Sequence, residues 1–353
     1  MPHLWIRAES RPNEDRVGIT SDGVAHLIRQ GFRVTVEDSP SRTLPLRPYL
    51  DAGAERATAG SWPDAPRDAY IFGLKELPDD GTPLPHTHIM FGHAYKGQTD
   101  GARLLSRFAN GGGRLLDLEY LTDEDGRRVA AFGYWAGFVG AAVSVMAYAA
   151  QMQGTPCPPI APYSSAEALV AELDHLLNRD AIPRPDALIV GAKGRVGTGA
   201  ADLCDRLGIG TTLWDVEETR HGGPFPEVLD HAIFLNCILA GPGCPVFVPE
   251  DTPTRPRTLG VIGDIACDPA SDFNPIRVYD RATDWSAPVV RVYETPPLDV
   301  MAIDNLPSML PVESSVDFAG QLLKHLATLG VPEGDVWVRA DKTFRDHVGR
   351  LAP

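Results

Sequence analysis

The sequence predicts an α/β fold of two Rossmann-like domains, each a parallel sheet flanked by helices, with the active site in the cleft between them. Three observations lead there. Short apolar runs alternate with amphipathic helical segments along the chain, the pattern of parallel βα units. A strand, a glycine turn and a helix follow one another over residues 187–207. The chain has 353 residues, enough for two domains.

The glycine unit is the most informative stretch. Four apolar residues, 187–190, read as a buried strand. Gly191, Gly194 and Gly197 follow, with Arg195 and Val196 between the last two. Residues 200–207 then read as a helix. Glycine lets the turn approach a pyrophosphate closely, and the phosphates sit on the unpaired N–H groups of the helix N-terminus. A second strand at 211–214 ends at Asp215, where a carboxylate would grip the ribose hydroxyls. Val216, Glu217 and Glu218 come next, with no Arg or Lys beside them. A 2′-phosphate would be repelled there, so the expected cofactor is NAD rather than NADP. The alternative is a tight βα turn that holds no ligand.

Hydrophobic residues are 43% and charged residues 22%, and the net charge is −15. That charge argues against nucleic acid or an anionic membrane as partner. It also means that an anionic substrate needs a local cluster of Arg or Lys. The five cysteines form no C-x-x-C pair, which predicts reduced thiols and a cytoplasmic location. The N-terminus shows no signal-peptide pattern. Residues 129–150 carry no Asp, Glu, Lys or Arg and are long enough to span a bilayer. They are dominated by Ala and Gly, so the expectation is a helix packed between two domains.

In chain order, residues 4–7 are expected as a strand, 20–30 as a helix capped by Thr20 or Ser21, and 32–37 as a strand. Residues 49–53 read as a short helix and 69–74 as a buried strand running into Lys75 and Glu76. A strand at 88–94 contains His93 and is followed by Lys96. A helix at 104–110 and a strand at 114–120, carrying Asp117 and Glu119, complete the first region. An amphipathic helix is expected at 165–178. Further strands are expected at 232–236, 258–262, 285–292 and 300–303, and a long helix at 314–329. The expected domains are therefore 1–130 with 314–353, and 131–313, the second binding the dinucleotide.

In open α/β sheets, ligands gather at the carboxyl ends of strands. Lys75 with Glu76, and His93 with Lys96, stand at two such ends and are the candidates for acid–base chemistry. Neighbouring cations would lower the pKa of Lys75, and carboxylates such as Glu76 and Glu119 would raise it. The plainer alternatives are a core histidine at 93 and a surface ion pair at 75–76. Arg7, Arg11, Arg16, Arg127 and Arg128 are candidates for binding a carboxylate, although any one taken singly reads as a solvated surface charge. His86 and His88 form an H-x-H, but no Cys or acidic ligand joins them closely, so no metal is expected.

Several short motifs carry a resemblance over nearly the whole chain. They are Arg7-Ala8-Glu9, EDSP at 37–40, AGSW at 59–62, Gly73-Leu74-Lys75-Glu76, Asp117-Leu118-Glu119, GRRVAAFG at 126–133, GGPF at 222–225 and LPSMLP at 306–311. With these the chain resembles the NAD-dependent, lysine-forming saccharopine dehydrogenases of the alanine dehydrogenase/transhydrogenase-like superfamily. The resemblance implies oxidation of saccharopine by NAD to an imine, then hydrolysis to lysine and 2-oxoglutarate. It implies that Lys75 takes the proton of the secondary amine and that His93 serves water attack and collapse of the carbinolamine. Glu76 and Glu119 would set the charge balance, and Arg16, Arg128, Phe132 and Lys96 would bind substrate. Arg195, Asp215 and Asp304 line up with residues near the cofactor. Two features depart from the family. Val196 stands where relatives can carry a Cys able to pair with Cys237, and residues 263–268 are more like alanine dehydrogenase. Two alternatives stay open: a related amino acid or opine dehydrogenase using another amine donor, and a non-catalytic NAD-binding regulatory protein.

Overall fold

Apolar runs of a few residues cannot bury both faces alone, so they pair into sheets covered by helices. In a computed structural model the chain forms two six-stranded sheets. The structure describes residues 1–95, 99–331 and 335–351. It divides into two compact units, Met1–Ala131 with Pro311–Pro353, and Phe132–Leu310. The expected breaks lay at 130/131 and 313/314. The second falls earlier because Pro311 opens a helix, the position where its missing N–H costs nothing.

In the first unit the elements are β1 (His3–Ile6), α1 (Ser21–Arg29), β2 (Arg33–Glu37), α2 (Leu46–Asp51), β3 (Glu55–Ala57), β4 (Tyr70–Phe72), β5 (Thr87–Met90), α3 (Thr99–Gly111) and β6 (Arg114–Asp117). Thr20 caps α1 by accepting from the Gly23 N–H at 3.2 Å. The strands lie in the order β3-β2-β1-β4-β5-β6, all parallel. The order reverses direction at β1 and β4, the crevice where such sheets bind ligands. Three expectations change here. β3 has no apolar pattern and was not foreseen. β5 ends at Met90, so His93 lies beyond the strand. β6 ends at Asp117, whose carboxylate turns the chain into a short 3-10 segment, Leu118–Tyr120.

His88 sits on β5 with its ring edge-on to Trp62 and Phe108. It is fully buried, and neither ring nitrogen has a hydrogen-bond partner among the described residues. Burial holds its pKa well below 6.5. The native state therefore keeps His88 neutral where the unfolded chain takes up a proton. Stability is present above the unfolded pKa of about 6.5 and falls as pH drops below it. His88→Phe should flatten the loss of urea stability between about pH 7 and about pH 5. An unchanged slope would place the titrating group elsewhere.

The second unit contains α4 (Gly133–Met152), α5 (Ala166–Arg179), β7 (Asp186–Val190), α6 (Arg195–Arg206), β8 (Gly210–Trp214), α7 (Val216–Thr219), β9 (Ile233–Asn236), β10 (Val261–Asp264), β11 (Val290–Glu294) and β12 (Pro297–Met301). The order is β11-β12-β10-β9-β7-β8. All pairs are parallel except β11 with β12, an antiparallel edge hairpin. α4 is the charge-free helix. It lies in the core of its own unit against α5, α6, β10 and β12. A Cβ on Gly137 would overlap the Val196 carbonyl oxygen, and one on Gly199 would overlap that of Tyr134. The Ala and Gly content is what lets α4 and α6 approach so closely. It is the one described helix long and apolar enough to cross a membrane, and 72% of its apolar window is buried.

The chain then returns to the first unit as α8 (Pro311–Leu326) and α9 (Asp335–Val348). Ser315 on α8 accepts the Val17 N–H at 2.9 Å. α9 was not foreseen. It places Phe344 against Phe108 and anchors Arg339 on the Thr122 carbonyl.

Candidate active site

The first unit gathers its ionisable groups at the carboxyl ends of β1, β4, β5 and β6. Arg7 leaves β1 buried, with only 4% of its surface exposed. Its guanidinium donates to Glu9 at 3.2 Å and to the Lys75 carbonyl oxygen. Gly73 makes this possible, because a Cβ there would overlap the Arg7 side chain. Glu9 in turn accepts the N–H groups of Leu74 at 2.7 Å and Lys75 at 3.1 Å. The backbone of Lys75 is thus held on both sides, and the residue is 7% exposed. A surface ion pair with Glu76 does not describe it. Its ammonium lowers the pKa of Glu14 and of His93.

His93 follows β5 with φ +47°, the left-handed region that non-glycine residues rarely occupy. That turn places the ring between two carboxylates. Nε2 is 3.3 Å from Glu76 Oε1, and Nδ1 is 3.5 Å from Glu119 Oε2. The second distance is an ion pair longer than a good hydrogen bond. Glu119 is the largest cause of a raised His93 pKa. Burial opposes it, Glu76 adds to it, and Lys75 works the other way. Glu76 also faces Arg11 at 3.7 Å, and Glu119 faces Arg128 at 3.4 Å. Lys75, Glu76, His93 and Glu119 therefore form one network in which no carboxylate stands alone.

Asp117 received no role from the sequence. One oxygen accepts the Glu119 N–H at 2.9 Å and the other the Gly92 N–H at 3.3 Å. It ties together the two loops that carry His93 and Glu119. Burial pushes its pKa up to about 6. Arg16 is buried rather than solvated. Its Nε and Nη2 grip Glu14 at 2.8 and 2.5 Å, and that pairing holds the Glu14 carboxyl low despite burial. Arg127 is exposed. Lys96 lies outside the described residues.

The second unit holds the glycine turn. Gly191 has φ +83°, and a Cβ on Gly197 would overlap the Gly191 carbonyl oxygen. Gly194 caps α6 without a side chain, leaving the helix N-terminus open to an anion. Arg195 is exposed and Val196 half-buried on its first turn. Asp215 follows β8. Its carboxylate accepts the N–H groups of Val216 at 2.9 Å and Lys193 at 3.0 Å. Those two bonds, with the Lys193 charge adding, keep its pKa low. So a cation does stand near Asp215, contrary to what its sequence neighbours suggest. It comes from the glycine turn, which Asp215 also fastens. Val216, beside Asp215, and Leu239, beyond β9, expose large apolar side chains. Phe132 occupies the N-cap of α4, and Asp304 is exposed after β12. These residues fit a dinucleotide: a tight glycine turn, a helix end with no side-chain cap and an ionised acid.

Among the described residues no group of three or more His, Cys, Asp or Glu side chains could hold a metal. All five cysteines are free, and burial pushes the Cys204 thiol up to about 12.

A family model, alanine dehydrogenase/PNT, N-terminal domain, matches residues 5–139. Saccharopine dehydrogenase (NAD(+), L-lysine-forming) from Schizosaccharomyces pombe is 42% identical over 99% of this chain and 99% of its own. The protein of the same name from Yarrowia lipolytica is 43% identical over 99% and 98%. A solved L-alanine dehydrogenase covers 97% of this chain and 93% of its own, with TM-score 0.67 and 15% identity, a likeness of fold alone. Both named relatives match from end to end at more than 40% identity, and the chain belongs to the saccharopine dehydrogenase (NAD(+), L-lysine-forming) family.

Proposed function

We propose that this protein oxidises saccharopine with NAD and water to L-lysine and 2-oxoglutarate, and runs the reverse. The observation that carries the reading is the joining of Lys75 and His93 with Glu76 and Glu119 at the ends of neighbouring strands. A secondary amine must shed its proton before its carbon can lose a hydride. Lys75, buried and held by its backbone, takes that proton. When bound, NAD supplies the hydride acceptor. The resulting imine carbon is attacked by water, and His93 removes the water proton. The carbinolamine then collapses with a proton returned to the departing lysine nitrogen. Glu76 and Glu119 stabilise the protonated imidazole between those two transfers.

Arg16, from the position Glu14 fixes, and Arg128 hold substrate carboxylates, with Phe132 and Lys96 as further substrate contacts. The turn Gly191–Gly197, with Arg195 and Val196, holds the NAD pyrophosphate, Asp215 the ribose, and Asp304 a further part of the cofactor. Val216 and Leu239 offer apolar surface for the adenine. The partners are these small molecules, and the free thiols support a cytoplasmic location.

The test is the loss of NADH absorbance with 2-oxoglutarate and a panel of amino acids. Lysine-dependent loss, absent with NADPH, supports the reading. Turnover with another amine alone would sink the substrate assignment. Asp215→Asn keeps an acceptor for the cap while removing the charge. It should raise the KM for NADH about 10-fold or more and leave that for lysine nearly unchanged. Equal effects on both would make Asp215 purely structural.

A further inference from the structure

A pocket of about 330 Å³, its open mouth included, lies in the first unit at the carboxyl ends of β1, β2 and β4. Arg7, Arg16 and Arg42 line it together with Glu9, Glu14, Ser39 and Ser41. Two donors in that wall have no hydrogen-bond partner among the described residues, although both atoms are buried: Arg42 Nη1 and Arg7 Nε. A buried guanidinium N–H without an acceptor is costly. The charges of Asp38, Glu37 and Glu9 favour the Arg42 guanidinium, but none of them accepts from Nη1. The guanidinium sits 5.5 Å above the Tyr49 ring. Tyr49 is itself buried and fixed by its hydroxyl on the Ile19 carbonyl at 2.7 Å. The Thr43 N–H on the Asp15 carbonyl at 2.8 Å holds the loop in place. Arg42 Nη1 is thus a buried donor in the pocket wall with no acceptor among the described residues.

We infer that this pocket takes the α-amino-acid end of the lysine part of the substrate, with Arg42 as the anchor of its carboxylate. The inference rests on the reading of saccharopine as substrate. Glu9 and Glu14 already pair with Arg7 and Arg16, so the wall keeps one guanidinium in excess, which suits a single carboxylate better than a dicarboxylate. The Ser39 and Ser41 hydroxyls, 3.4 Å apart, add neutral donors and acceptors. Arg7 joins the pocket to the reacting groups, because the same guanidinium that forms the wall donates to the Lys75 carbonyl. The lysine arm carries its amino-acid end a methylene chain away from the secondary amine. That end therefore needs a site of its own beside Lys75.

The experiment compares wild type, Arg42→Met and Arg42→Lys with lysine, 2-oxoglutarate and NADH, and then with cadaverine in place of lysine. Cadaverine keeps the amine and the chain but lacks the carboxylate. Arg42→Met should raise the KM for lysine about 10- to 100-fold, the range of a lost charge-assisted hydrogen bond. The KM for 2-oxoglutarate should stay within about twofold, and preference for lysine over cadaverine should fall by the same factor as the lysine KM rises. Arg42→Lys keeps the charge without the fork and should fall between. It serves the same comparison if the methionine variant does not fold. A lysine KM that stays put, or a rise in the KM for 2-oxoglutarate instead, overturns the assignment. A wild-type protein inert to lysine would show before any variant is made, and would overturn the underlying reading.

Discussion

Lys75→Met should lower turnover by roughly 10²-fold or more, the range of lost acid–base catalysis. Methionine keeps the length and apolar stem of lysine, and the variant leaves untouched the bonds that fix the backbone here. Those run from Glu9 to the Leu74 and Lys75 N–H groups and from Arg7 to the Lys75 carbonyl. What disappears is the amine that accepts the substrate proton. The loss should appear in kcat as well as kcat/KM, since the proton moves within the bound complex. Wild-type rates would remove Lys75 from the mechanism.

His93→Gln should cost about as much, roughly 10²-fold, and its pH dependence identifies the group. His93 carries a raised pKa, first because of Glu119 and then Glu76. Glu119→Gln removes the larger cause, so the His93 pKa must fall. The limb of the pH–rate profile that reports His93 should then move to lower pH. A limb that stays in place, or moves up, would assign that titration to another residue. Melting curves of each variant separate this from damage to the turn at φ +47°.

Strand ends and the glycine turn were legible in the sequence because their signals are local. Four apolar residues, three glycines and an acid at the next strand end suffice to place Gly191–Gly197 and Asp215. Lys75 and His93 stood out for the same reason, as charged groups just past apolar runs. What the sequence did not carry was pairing through space. The Asp117 bond to the Gly92 N–H and the approach of Lys193 to Asp215 join residues more than twenty positions apart, whereas the Glu14 grip on Arg16 is local and was overlooked. Arg42 escaped notice because its lack of an acceptor is a fact of burial, not of residue type. α4 was recognised as an apolar helix, but not its neighbours within the second unit. Composition reports that a face is small and apolar, while Gly137 and Gly199 record which helix lies against it. β3 offered no apolar alternation, whereas α9 did carry a helical stripe, with Val336, Trp337, Ala340 and Phe344 buried, and it was overlooked.

The most direct test of the central claim is to supply saccharopine and NAD and identify the products by mass spectrometry. Saccharopine has two carbon–nitrogen bonds to its secondary amine, and the chemistry proposed for Lys75 and His93 opens only one. The account predicts lysine, 2-oxoglutarate and NADH in equal amounts, with all three lost together in Lys75→Met. Glutamate and an aldehyde in their place would mean oxidation on the other side of the nitrogen, and would contradict it.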